Sequence, residues 1–220
     1  MKYTILATLL LVAACSPQKD STQKFSFNGV EIDSSVINDI EDELGKKFEP
    51  LNAPLWRSDS TVAEDSVLAG VQIRRVEDET ARRIARKNLS KLMPSGYYIY
   101  LKNLDFGENF TQSYYDIAII PCKDQFELVR FAYTNGVNYD VTNEDVINKL
   151  RKWHSESPFT IVVADEDRIE ADFIELPKDL NAFAKDIYEF CPDVIDQGAG
   201  SEEELIQYFQ SEKSFWLWFD

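Results

Sequence analysis

The chain has 220 residues and is acidic, with 39 Asp and Glu against 23 Lys and Arg and a formal net charge of −16. This charge argues against nucleic acid and anionic lipid headgroups as partners of the folded part, because both would be repelled. With 14 Phe, 10 Tyr and 4 Trp the chain has enough apolar side-chain area for a packed core, and its length suits one main domain.

The N-terminus has the features of an export signal with a lipid anchor. A basic start precedes an apolar run over residues 5–14, about half of the roughly 20 residues that a membrane-spanning helix needs. The four residues before Cys15, Leu-Val-Ala-Ala, resemble the lipobox of bacterial lipoproteins, in which cleavage leaves an acylated cysteine as the new N-terminus. We therefore expect residues 1–14 to be a signal peptide, Cys15 to carry palmitate and other acyl chains, and residues 15–24 to tether an exported domain to the bacterial cell membrane or outer membrane.

The first part of the chain, residues 25–109, carries alternating strand and helix signals. Apolar residues alternate around Asn28-Gly29, a pair typical of tight hairpin turns, and Gly45 follows a run of apolar residues at helical spacing. The elements predicted here are a hairpin over 25–32, a helix over 34–44, irregular or extended chain over 48–66, a strand over 67–73, a helix over 81–92 and a strand over 97–101.

The second part, residues 110–220, has a more regular pattern. Asp124, Thr142 and Ser201 each stand where a side-chain oxygen can cap a helix. Helices are therefore predicted after these three residues and over 180–188, with strands over 115–120, 159–164, 169–176 and 215–219. Because strands and helices mix without a regular βαβ alternation, we predict a single main domain of the α+β class, with a mixed sheet covered by several short helices.

Several segments of the second part form a pattern typical of one protein family. They are Tyr115–Pro121, Thr134–Asp140, Leu150–His154, Cys191–Gly200 and Phe215–Asp220. Together these segments resemble the bacterial Domain of Unknown Function 4253 family over about residues 110–220, with weaker likeness before them. The resemblance implies no activity, ligand or catalytic residue, and Cys122 does not belong to the family pattern.

The segment from Asp193 to Gly200 is the sharpest candidate for chemistry. Asp193 and Asp196 lie three residues apart beside Gln197, a spacing that suits cation binding or acid–base catalysis. The same residues also suit a turn in which Asp193 caps, Asp196 and Gln197 bond local backbone and the glycines take unusual φ angles. Of these two interpretations we favour the turn.

The remaining cysteines, Cys122 and Cys191, have two interpretations. In an oxidising compartment they could form a disulfide, although two cysteines make no framework and the sequence cannot show that their β-carbons meet. As a nucleophile, Cys191 is poorly placed at the end of a predicted helix beside Asp193, and His154 is the only histidine. We expect no metal site and no cofactor, because the sequence has neither the ligand spacing of a zinc site nor a nucleotide-binding motif.

Two more features concern the surface of the sheet. If residues 215–219 form a strand, Trp216 and Trp218 share one face, where they either pack in the core or line an exposed groove for a protein partner or a sugar ring, with Asp220 next to them. We favour the core. The acidic run 165–167 lacks the calcium-loop pattern and is interpreted as the solvated tip of a hairpin.

These features support one leading hypothesis and two alternatives. The lipid anchor, the acidity and an incomplete set of catalytic residues favour a non-catalytic binding or interaction module of the cell envelope, attached to a membrane through Cys15 and binding a protein partner. One alternative is a hydrolase or metal-assisted enzyme that uses Asp193, Asp196 and Gln197. The other is an immunity or inhibitor protein for a secreted partner.

Replacement of Cys15 tests the anchor. We expect Cys15→Ser to move the protein from the membrane fraction to the soluble fraction, because the predicted leader is too short to span a bilayer and the acyl chains carry the membrane affinity. Cell fractionation with mass spectrometry of the mature N-terminus measures this, with Ser16→Ala as the control that keeps its acyl chains. A Cys15→Ser protein that stays in the membrane fraction would contradict the prediction.

Overall fold

The computed structural model describes residues 24–56, 62–108 and 110–220. The predicted signal peptide, Cys15 and the tether before residue 24 lie outside these ranges. Among the residues that are described, none of the helices has the length and apolar character needed to cross a membrane.

The described chain contains nine strands and six α-helices. The strands are β1 Lys24–Phe27, β2 Val30–Asp33, β3 Glu49–Trp56, β4 Val62–Glu77, β5 Tyr97–Phe106, β6 Ser113–Pro121, β7 Phe159–Ala164, β8 Arg168–Phe173 and β9 Ser214–Trp218. The helices are α1 Ser34–Leu44, α2 Asp78–Leu92, α3 Gln125–Ala132, α4 Asn143–Glu156, α5 Leu180–Phe190 and α6 Glu202–Glu212. Short 3-10 turns lie at Met93–Ser95 and Val137–Tyr139, and a π-helical segment spans Val194–Ala199.

Seven strands form one open sheet in the order β3-β4-β6-β5-β7-β8-β9, and β1 and β2 form a separate hairpin. Neighbouring strands of the sheet are antiparallel except β5 and β7, which run parallel with Leu101 opposite Val163. The sheet is therefore mixed, and the predicted α+β class is confirmed. Because β8 is antiparallel to both β7 and β9, the strands β5, β7 and β9 point in one direction and finish at the same end of the sheet.

Helices cover both faces of the sheet. On one face, α2 packs against β5 and β6 through buried residues that include Ile84 and Leu89. On the other face, rings from β7, β9 and helices α4 to α6 meet edge-on with centroids 5.0 to 5.9 Å apart; they are Trp153, Phe159, Phe183, Phe209 and Phe215. Burial of each large apolar side chain is worth about 1.5–3 kcal/mol, so this cluster is the main core of the C-terminal half.

Local hydrogen bonds place the starts of three helices and one hairpin turn where the sequence predicts them. The β1–β2 hairpin turns at Asn28-Gly29. The Asp124 carboxylate accepts two backbone N–H groups of α3, and Thr142 forms a capping box with Asp145. Ser201 likewise accepts a backbone N–H from the third residue of α6 at 3.1 Å. All three predicted N-caps are therefore confirmed.

The region 48–66, expected to be irregular or extended chain, is extended over most of its described residues. Residues Glu49–Trp56 form β3, in which Pro50 and Pro54 pair with β4. Proline has no N–H to donate, but β3 lies at the edge of the sheet, where one side of the strand has no neighbour. Two prolines are therefore compatible with a strand at this position.

A buried ion network joins α2 to the sheet beneath it. Glu170 on β8 is 7% exposed and accepts hydrogen bonds from the Tyr115 hydroxyl at 3.0 Å and from Arg168 Nε at 2.7 Å. Its second oxygen lies 2.6 Å from Arg82 of α2, which also pairs with Asp78. Burial alone would raise the pKa of Glu170, but Arg168 and Arg82 outweigh burial and hold the pKa below its ordinary value.

Removal of this buried charge is expected to destabilise the fold. Glu170→Gln leaves Arg168 without a carboxylate and Arg82 with Asp78 alone, which should lower the free energy of unfolding by about 3 kcal/mol. The matched control is Glu49→Gln, because Glu49 pairs with Arg74 at an exposed position and should contribute less than about 0.5 kcal/mol. Urea unfolding at neutral pH measures both changes. Equal losses in the two variants would contradict the assignment of Glu170 to a buried network.

Candidate functional site

The carboxyl ends of β5, β7 and β9 meet at one end of the sheet and border a cleft of about 600 Å³. We call it the strand-end cleft. Its lining residues are Asn103, Leu104, Phe106, Asp165, Glu166, Asp167, Arg168 and Trp218. The cleft therefore combines an aromatic side, from β5 and β9, with an acidic side, from the turn between β7 and β8.

The aromatic side of the strand-end cleft is formed by Trp218 and Phe106. Trp218 is half-buried, whereas Phe106 is 53% exposed and touches Phe110, which is 81% exposed, with ring centroids 5.9 Å apart. Large apolar rings in contact with water are unfavourable, and when they lie beside a cleft they are typical of contact surfaces. This side of the cleft is therefore suited to binding a partner.

The acidic side is the turn Asp165–Asp167, which we call the acidic tip. Burial raises the pKa of Asp165 to about 6, against the opposing effect of the hydrogen bond from the Asn103 N–H at 2.5 Å. No residue of the acidic tip forms an ion pair within the described part of the chain. The neighbouring Arg168 does not balance the negative charge of the acidic tip, because its guanidinium group is paired with Glu170.

The backbone of the acidic tip is held at each of its three carbonyl groups. The Thr134 hydroxyl donates to the Asp165 carbonyl at 2.5 Å, and the Asn135 N–H donates to Glu166 at 2.9 Å. The Phe219 N–H donates to the third carbonyl, that of Asp167, also at 2.9 Å. The scaffold therefore fixes where the three carboxylates leave the chain, so that they are presented together at the cleft.

A second cleft, of about 420 Å³, lies next to the first. We call it the loop cleft, and its lining residues are Tyr133, Asn135, Val137, Asp140, Val141, Thr142, Asn143 and Glu166. Glu166 lines both clefts. Seven large apolar side chains are exposed in the described ranges, and four of them lie in or beside the segments that line the two clefts: Phe106, Phe110, Val137 and Tyr139.

Asp193 lies behind this surface and has a structural role. It is 3% exposed and accepts hydrogen bonds from the Tyr139 hydroxyl at 2.5 Å, Gln197 Nε2 at 2.8 Å and the Asp220 N–H at 3.0 Å. Burial alone would raise its pKa, but these donors outweigh burial and lower the pKa. The backbone of Asp220 thus helps to fix the chain just after β9: its N–H bonds Asp193, and its carbonyl accepts a hydrogen bond from the Asn138 side chain.

The favoured turn at Asp193–Gly200 is in part corrected. Val194–Ala199 is π-helical, and Asp193 makes no side-chain capping bond to it, since its oxygens accept the three donors named above. Of the two glycines expected to take unusual φ angles, Gly200 has a positive φ of +87° and Gly198 does not have a positive φ. Asp196 accepts from the Tyr188 hydroxyl at 3.3 Å, and the described residues contain no group of three His, Cys, Asp or Glu that could hold a metal ion.

The disulfide interpretation of Cys122 and Cys191 is wrong in this structure. Both thiols are free and buried, and each donates to a different carbonyl at 3.0 Å, that of Asp124 and that of Trp218 respectively. Burial raises the pKa of each thiol to about 12, so neither is a nucleophile at neutral pH. His154 accepts a hydrogen bond from the Phe159 N–H at 3.2 Å and so has a structural role at the start of β7.

The two tryptophans of β9 share one face of the strand, as predicted, but have different surroundings. Phe215, Leu217 and Phe219 are buried on the opposite face. Trp216 packs edge-on against Tyr208 with ring centroids 4.5 Å apart, whereas Trp218 lines the strand-end cleft. The groove interpretation therefore fits Trp218, and the core interpretation fits Trp216.

Sequence reasoning did not find the other half of the site. Asn103 and Phe106 were not candidates, and the acidic tip was interpreted as a solvated turn. The sequence did contain one signal for an exposed apolar surface: two phenylalanines, Phe106 and Phe110, lie in an otherwise polar connection. The decisive fact, that β5 ends beside β7 and β9, comes from strand pairing and is not a local property.

Comparison with known proteins confirms the resemblance noted in the sequence. Residues 116–220 match the model of the family described as Domain of unknown function (DUF4253). No curated protein and no solved structure matches the chain. The matched range includes the acidic tip, Trp218 and the loop cleft, whereas Asn103 and Phe106 precede it.

Removal of the Asp165 charge should stabilise the fold in a pH-dependent way. Because the pKa of Asp165 in the folded state, about 6, exceeds that of an ordinary Asp, the folded protein binds this proton more tightly than the unfolded chain. The free energy of unfolding therefore falls as the pH rises from about 4 to about 6 and stays lower above that range. We expect Asp165→Asn to add roughly 1–2 kcal/mol near pH 7.5, after allowance for partial exposure, and less than about half of that near pH 4.5.

Thermal and urea unfolding at the two pH values measure this effect. Asp39→Asn on α1 is the control, because this carboxylate is exposed and its neutralisation should change stability little at either pH. A gain from Asp165→Asn of the same size at both pH values would show that the effect is not electrostatic.

Proposed function

We propose that this protein is a lipid-anchored, non-catalytic binding module of the bacterial envelope. Residues 116–220 match a family whose description assigns no activity, so the proposal is argued from the N-terminal sequence and from the geometry of the site. Its strand-end cleft is the proposed binding site for a protein partner. The observation that carries the proposal is the pairing of exposed Phe106 and half-buried Trp218 with three carboxylates that lack ion-pair partners within the described residues.

The chemistry of the lining residues supports binding over catalysis. No Ser, Thr, Cys, Lys or His lines the strand-end cleft, so the carboxylates of Asp165, Glu166 and Asp167 are its only side chains of a nucleophile or base class, and the hydroxyl, thiol, amine and imidazole groups of most covalent catalysts are missing from the lining. The hydrolase alternative depends on Asp193, which is buried and hydrogen-bonded to three protein donors. A carboxylate engaged in this way is not free to accept a proton from a substrate.

The anchoring part of the proposal depends on Cys15 and the residues around it. Acyl chains on this cysteine would hold the domain at a membrane, and the tether would separate the domain from the lipid surface. Anionic headgroups repel the acidic domain, which keeps it away from the lipid surface and leaves it accessible to proteins. An immunity or inhibitor protein for a secreted partner would use the same cleft, and the identity of the partner decides between the two.

Affinity capture from envelope extracts tests the proposed function. We expect wild-type protein to retain a partner that Phe106→Ala loses, because truncation removes the largest exposed part of the aromatic side. Ile174→Ala is the matched control: Ile174 is 66% exposed but follows the opposite end of β8, so the partner should be retained. Quantitative mass spectrometry of the captured proteins measures the difference. If Phe106→Ala captures the same proteins as wild type, the strand-end cleft is not the binding site.

A further inference from the structure

The acidic tip carries negative charge that the described residues leave unbalanced. Asp165, Glu166 and Asp167 form no ion pairs there, although Lys102 lies close enough to lower the pKa of Asp165. The guanidinium group of Arg168 is held by Glu170. A cation brought by a ligand would therefore find carboxylates that form no ion pair with the described residues.

Burial makes this imbalance energetically important. Asp165 is partly removed from water, and one backbone N–H is the donor that it receives. A desolvated carboxylate is stabilised by a nearby cation much more than a solvated one, because water no longer screens the attraction. A positive charge next to Asp165 would therefore offset the unfavourable desolvation of this carboxylate.

The opposite side of the cleft is suited to the rest of a cationic side chain. Trp218 and Phe106 can accept an ammonium or guanidinium group over the ring face, or the methylene groups of a lysine or arginine along it. A sugar would also stack on Trp218, but it would not balance three carboxylates. On these grounds we propose that the strand-end cleft binds a lysine or arginine side chain from a basic segment of the protein partner.

The loop cleft extends this recognition to a second residue of the same segment. Glu166 lines both clefts, and Asp140 supplies a further carboxylate to the loop cleft beside the exposed Val137. A segment that crosses Glu166 thus places neighbouring side chains in two acidic clefts. This inference depends on the proposed function, since it names the chemistry of the partner at the same site.

Fluorescence anisotropy with a labelled peptide tests the inference. The peptide contains two arginines separated by one glycine, and the comparison peptide has citrulline, which is neutral, in place of both. Titrations at about 150 mM salt limit long-range attraction to the acidic protein, because the Debye length is then about 8 Å. We expect the arginine peptide to bind wild type at least about tenfold more tightly than the citrulline peptide.

Paired variants separate the cleft from the overall charge. Asp165→Asn with Glu166→Gln should weaken the arginine peptide by about tenfold or more. The matched control is Glu31→Gln with Asp39→Asn, which removes two negative charges from exposed positions on β2 and α1; the Glu31 N–H bonds Tyr97 at the opposite end of β5. This control should weaken binding by less than about twofold. Thermal unfolding verifies that both proteins are folded.

Three outcomes would overturn the inference: equal weakening in the two paired variants, equal binding of the citrulline peptide, or no binding of the arginine peptide to wild type. None of them affects the capture experiment. If the captured partner still depends on Phe106 while the arginine peptide does not bind, the binding module stands and the cationic chemistry is rejected. If capture does not depend on Phe106, the proposed function itself fails.

Discussion

The parallel pairing of β5 with β7 is the constraint on which the position of the site depends. A parallel pair cannot be joined by a tight turn, so the chain passes through β6, α3 and α4 before it returns as β7. The antiparallel strands β8 and β9 then bring a third carboxyl end to the same place. A crevice at the carboxyl ends of strands is a common ligand position in open sheets that contain parallel strands, and here it joins residues more than half the chain apart.

A buried carboxylate, Glu170, and a half-buried one, Asp165, lie on neighbouring parts of the hairpin β7–β8 and differ in how their charge is balanced. Glu170 is matched by Arg82 and Arg168 and has a lowered pKa, so its charge contributes to the fold. Asp165 has a raised pKa, and its charge is destabilising. A protein selected only for stability would lose such a residue, whereas stability given up at one position is typical of functional sites.

Sequence reasoning succeeded where the signal is local. The caps at Asp124, Thr142 and Ser201, the Asn28-Gly29 hairpin and the alternation of β9 each depend on residues within one element. It failed where the answer depends on a neighbour in space. The prolines of β3 are tolerated only because the strand is at an edge, and Asp193 suggested chemistry although it binds the end of a strand 27 residues away.

The position of Glu166 between the two clefts has a consequence for selectivity. Once one residue of an extended segment occupies the first cleft, its neighbour is confined near the second, at an effective concentration far above that of a free amino acid. Two weak contacts then act as one stronger contact, and the gain is lost when the spacing is wrong. Such an arrangement distinguishes the order of residues in a segment from its total charge.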